Sequence, residues 1–180
     1  MPKLNSVAFR LIAAAAVVSL AGLAAGGFLL SSVFRASVER QLDDRLIADM
    51  ENLIAAAEPA PNGELVVMNI FADQRYDTAF SGWYWQVSGE GEDPQRLTSR
   101  SLWDKVLATP ETPQGGGLAR GYTDGPEGQR LRYVVRRISF PDMAALAEGR
   151  EAPPKTYLFA AAADLANSDA EAARFDTTLL

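Results

Sequence analysis

The chain has 180 residues, 48% of them apolar, a formal net charge of −6, and neither histidine nor cysteine. The missing imidazole and thiol remove a histidine-based triad, a Cys/His zinc site and every disulfide, and the acidic balance argues against a general nucleic-acid binder. So high an apolar share in an ordinary domain length points to one folded unit plus one unusually hydrophobic segment.

That segment is the uncharged run LIAAAAVVSLAGLAAGGFLLSSVF from Leu11 to Phe34. At ~1.5 Å per residue it reaches roughly 36 Å, enough to cross a hydrocarbon core of about 30 Å with some tilt. Lys3 and Arg10 precede it, so the excess of positive charge puts residues 1–10 in the cytoplasm, residues 11–34 in the bilayer and residues 35–180 outside. A cleavable signal sequence is the rival reading. It fits less well, because the apolar run continues through Phe28, Leu29, Leu30, Val33 and Phe34, beyond the usual length of a signal core. Gly22 and Gly26 form a GxxxG pair through which two such helices can pack closely, and a homodimer is expected.

Residues 36–58 read as a helix that continues the span outward without a Gly or Pro. Val38, Leu42, Leu46, Met50, Leu53, Ile54 and Ala57 recur at three- and four-residue intervals, with Glu39, Arg40, Asp43, Asp44, Arg45, Asp49 and Glu51 between them. Pro59, Pro61 and Gly63 are expected to end it. Strand signals follow at 64–71 and 82–88. In the second, Trp83, Trp85 and Val87 alternate with Tyr84, Gln86 and Ser88. Residues 95–102 read as a returning partner strand and 103–108 as a short helical turn. The segments 118–123 and 129–140 flank Asp124-Gly-Pro-Glu-Gly128, a hairpin signal. A short helix is expected at 142–148 and a buried strand at 155–163. Ser168-Asp-Ala-Glu171 has the form of a capping box, so a last helix is expected there, leading towards a second membrane span that the sequence does not reach. The expected class is therefore α+β: one transmembrane helix continuing into a long helix, then an antiparallel sheet domain and a C-terminal helix.

This layout resembles the sensor region of two-component histidine kinases. Ser81-Gly-Trp-Tyr-Trp-Gln-Val87 and Leu97-Thr-Ser-Arg-Ser-Leu-Trp103 are similar to paired strand segments of proteobacterial kinases with PAS-like periplasmic sensors. The resemblance implies a bacterial inner-membrane protein that senses a periplasmic ligand or protein and reaches a response regulator through a cytoplasmic kinase part. The phosphoacceptor-His helix and the ATP site of such kinases are not found in this sequence, and no catalytic residue, cofactor or metal is expected in it. The rival reading is a membrane-anchored periplasmic interaction or scaffold protein.

Tyr84, Gln86, Arg100 and Arg132 are the candidate ligand-binding residues. Trp83, Tyr84, Trp85 and Trp103 can line an aromatic pocket, although tryptophans alternating on a strand more often fill a core. Arg130, Arg132, Arg136 and Arg137, with Arg96 and Arg100, can capture an anion bidentately, although a solvated strand face is the commoner role. Glu90, Glu92 and Asp93 lack the spacing of a calcium loop and read as a solvated turn. Gly115–Gly117 is followed by no Lys-Ser/Thr and is not a phosphate loop.

Overall fold

The structure, a computed structural model, describes residues 7–68, 73–91 and 94–166. The chain divides into two units, 1–41 and 42–180, and helix α1 (Val7–Ala55) contributes to both. In the first unit the apolar side chains Leu11, Val17, Leu20, Leu23, Phe28 and Leu30 are all exposed. Exposure of large apolar groups in succession is unstable in water and suits a lipid environment. This one helix near the N-terminus is long and apolar enough to span a membrane.

In the second unit the heptad-like spacing has its expected consequence. Leu42, Leu46, Met50 and Leu53 lie on one face of α1 and are buried in the main core. The helix ends three residues before the expected boundary. Ala57–Pro59 instead form a short strand, β1, paired antiparallel with β2 (Leu65–Val67). The ring of Pro59 fixes its own φ and biases Glu58 towards extended backbone, so the helix gives way before the proline. Gly63, at φ +80°, closes the turn between the strands.

The centre is a five-stranded, wholly antiparallel sheet. Its strands are β3 (Trp83–Gly89), β4 (Arg96–Thr98), β5 (Leu118–Asp124), β6 (Arg130–Phe140) and β7 (Lys155–Asp164). The spatial order is β4-β3-β7-β6-β5. The hairpin expected around residues 124–128 joins β5 to β6, with Gly128 at φ +72°. The run Ala160–Ala163 lies on the central strand β7, where Trp83 opposes Ala163, Trp85 opposes Ala161 and Tyr133 opposes Ala162. Small residues on the middle strand leave room for large rings on its neighbours, which is how the layer reaches native density.

Both faces of the sheet are covered. On one, Trp83, Trp85, Val87, Val134 and Phe159 pack with the α1 residues. On the other, Tyr84, Leu131, Tyr133 and Val135 pack with Leu102 and Leu107 from the connection between β4 and β5. That connection contains a 3-10 turn at Arg100–Leu102. It lacks the helical turn expected at 103–108, because Trp103 at φ +56° leaves the helical region. The short helix α2 (Met143–Ala147) has Asp142 at its N-cap, whose carboxylate accepts the N–H groups of Ala144 and Ala145. The class is thus α+β, as expected. The helix anticipated from Ser168 lies outside the described residues.

Candidate ligand-binding cleft

A cleft of about 400 Å³ is lined by Asp77, Ala79, Arg100, Trp103 and Asp104. One wall is the loop that follows a 3-10 turn at Gln74–Tyr76, and the other is the turn at Arg100–Leu102 with the residues after it. Among the described residues, the two non-glycine residues with positive φ are Phe80 (+55°) and Trp103 (+56°), one in each wall. For bulky side chains this region costs about 1–3 kcal/mol each and persists only where surrounding structure enforces it.

The enforcing structure is a pair of buried hydroxyls. Ser99 Oγ accepts the N–H of Trp85 at 3.1 Å and lies 2.8 Å from Ser101 Oγ, which donates to the carbonyl of Trp83 at 2.6 Å. The carbonyl of Ser101 accepts the N–H of Phe80 at 2.9 Å, and Trp103 N–H bonds back to Arg100 C=O at 3.1 Å. Both cleft walls are therefore tied to strand β3. The indole of Trp83, on that strand, lies 4.0 Å from the Arg75 guanidinium and 4.9 Å from that of Arg45 on α1. Trp83 thus links the cleft wall at Ser101 to Arg45 on the helix.

Of the four sequence-predicted binding residues, Arg100 lines this cleft. Tyr84 and Gln86 are buried in the core instead, and Tyr84 supports one wall from inside. Tyr84 Oη donates to Gln129 Oε1 at 2.8 Å, and Gln129 Nε2 donates to the carbonyl of Phe80 at 3.3 Å. The Gln86 amide makes a reciprocal pair with the backbone of Leu107, with bonds of 3.1 and 2.9 Å. Arg132 is elsewhere, bidentate to Asp43 on α1 at 2.7 and 2.9 Å, with Arg120 3.7 Å from the same carboxylate. The structure does not assemble the four into one site.

The aromatic group divides in the same way. Trp83, Tyr84 and Trp85 are core, but Trp103 is 72% exposed at the cleft, against the expectation that it fills a core. Arg130, Arg132 and Arg136 share one face of β6, and Arg137 lies on the other. Arg136 faces Glu51 on α1 at 3.6 Å, Arg137 pairs with Glu90 at 2.8 Å, and Arg130 lies over the Tyr122 ring at 5.0 Å. Asp43, Glu51 and Glu90 already occupy Arg132, Arg136 and Arg137, so the group does not form an open anion trap. Of the acidic run, Glu92 and Asp93 lie outside the described residues. Among the described residues no three acidic side chains converge as metal ligands. Sequence reasoning singled out neither Asp77 nor Asp104, nor the two serines. The spacing Ser-x-Ser before an exposed Trp was the available signal.

Beside α1, burial raises the carboxyl pKa of Asp49, and the Tyr76 hydroxyl that donates to it at 2.7 Å opposes the rise. Burial and this anionic neighbour raise Tyr76 in turn. Asp73, hydrogen-bonded to Arg75, is held below the usual carboxylate range.

No family model matches the chain, and no solved structure matches it. A stretch of 103 residues, 55% of the chain, is 38% identical to the sensor protein kinase CarS of Pseudomonas aeruginosa. Over that stretch, the chain resembles a sensor kinase. The match covers 21% of CarS, about a fifth of its length.

Proposed function

We propose that this chain is the membrane-anchored, extracytoplasmic sensing region of a two-component sensor histidine kinase. The observation that carries the proposal is the 38% identity to a sensor protein kinase, in a chain whose apolar helix leads into an α+β unit. Residues 11–34 cross the inner membrane and the sheet unit stands in the periplasm. A PAS-like sensor is supported by an antiparallel sheet of five strands whose first and last, β3 and β7, are neighbours near its centre. A homodimer is supported by the pair Gly22 and Gly26, whose GxxxG spacing on the apolar helix lets two helix backbones approach closely.

In mechanism, an occupied and an empty state of the sensing unit differ in how strand β3 holds the Leu42–Ala55 part of α1. A ligand shifts their balance only by its differential affinity for the two. Arg45 against Trp83, Asp43 with Arg132 and Glu51 beside Arg136 are the contacts through which sheet and helix sense one another. The kinase part and a response regulator complete the circuit inside the cell.

Alkaline phosphatase fused after Ala166, compared with a fusion after Arg10, tests the topology. Activity only in the first supports the proposal, and activity only in the second refutes it. Reading the coding frame beyond Leu180 tests the kinase assignment. A second apolar span, a His-bearing helix and an ATP-binding domain are expected. A stop codon there would remove phosphotransfer from the reading.

A further inference from the structure

We propose that the cleft at Asp77, Arg100 and Trp103 binds a small zwitterion of the α-amino-acid class. The inference rests on the sensing role proposed above and names the chemistry of its ligand. Three observations carry it. First, the cleft holds opposite charges that do not neutralise each other: neither Arg100 nor Asp77 makes a side-chain hydrogen bond or ion pair with any described residue, whereas Asp104 has Lys105 at 3.4 Å. Second, an indole that is 72% exposed stands at the same cleft on left-handed backbone, locked from beneath by Ser99 and Ser101. Strained, exposed aromatic groups held by a rigid support are more than surface accidents. Third, a volume of about 400 Å³ is of the size that takes a small molecule.

The chemistry follows from these groups. The planar guanidinium of Arg100 matches a carboxylate in two parallel hydrogen bonds. The Asp77 carboxylate and the face of the Trp103 ring both attract an ammonium group. A purely anionic ligand would leave Asp77 opposed to it, and a purely cationic one would meet Arg100. A ligand bearing both charges satisfies all three residues together. A hard metal ion is disfavoured, because three carboxylates do not converge among the described residues.

The test uses the full chain in lipid nanodiscs, titrated calorimetrically with the standard L-amino acids one at a time. Any that binds is followed by its decarboxylated amine and its deaminated acid. Saturable binding of at least one amino acid is expected. Each single-charge analogue, and each of Arg100→Gln, Asp77→Asn and Trp103→Ala, should weaken it about tenfold or more. All three side chains are exposed, and circular dichroism checks that the variants fold. Absence of binding by every amino acid overturns the proposal, as does binding that survives both Arg100→Gln and Asp77→Asn, or an analogue that binds as well as its parent. Fusing the chain ahead of a kinase module separates the two readings. Binding without any change in autophosphorylation would support the site and count against the sensing role. A topology failure in the phosphatase fusions would count against the sensing role without touching the site.

Discussion

The Ser99–Ser101 pair allows the support of the cleft to be measured as a coupling energy. Ser101→Ala removes the bond to the Trp83 carbonyl at 2.6 Å and the contact with Ser99 Oγ at 2.8 Å. The Trp83 carbonyl retains a weaker donor, Ser81 Oγ at 3.3 Å, so the expected loss is about 1.5–2 kcal/mol. Ser99→Ala removes the same shared bond and takes the acceptor from the buried N–H of Trp85, for about 2 kcal/mol. The shared bond is lost in both single variants but only once in the double variant. The double variant should therefore cost about 1 kcal/mol less than the sum of the singles. Urea unfolding of the full chain in nanodiscs, followed by tryptophan fluorescence, reads this directly, since the three tryptophans lie at positions 83, 85 and 103 in the sheet unit. Strict additivity, or single losses below about 0.5 kcal/mol, would refute the account of these hydroxyls as the buried support of the cleft.

Other expectations follow from the same packing. Leu46→Ala, at a wholly buried position of α1, should cost about 3 kcal/mol in the same urea assay. Gly121→Ala places a methyl 2.6 Å from the Tyr133 hydroxyl, which accepts the N–H of Glu111; a loss of about 2 kcal/mol is expected, with the Glu111 loop released to protease. Trp103→Gly relieves left-handed strain and should be neutral or stabilising by up to about 1 kcal/mol while abolishing ligand binding, and a loss of stability above ~1 kcal/mol would contradict the strain argument. For Asp49 the sign follows from its raised pKa. Between the unfolded and folded values the native state holds more protons, so stability falls as pH rises through that window and is regained on acidification. Urea midpoints across mildly acidic pH should show this slope in the wild type and lose it in Asp49→Asn. Asp73, lowered by Arg75, acts oppositely, its contribution being lost as pH falls through its folded pKa.

Much of this architecture was legible from local pattern alone. Uncharged length identified the apolar helix, three- and four-residue spacing marked the buried face of α1, and Gly/Pro punctuation placed the β5–β6 hairpin, because each depends on neighbours within a few residues. The end of α1 was missed by a few residues, because pairing of Ala57–Pro59 with Leu65–Val67 is decided by contact with another segment rather than by propensity. The site was less legible. Arg100 was singled out for its charge, yet Tyr84 and Gln86, identical in kind to ligand-facing groups, are buried in the core, and Arg132 is bound to a carboxylate 89 residues away in sequence. Sequence by itself determined which residues are apolar, charged or able to turn the chain. Only the tertiary structure decided which charges meet a partner and which remain open. A side chain's hydrogen-bonding capacity is local, but its satisfaction depends on elements that the fold brings together from far along the chain.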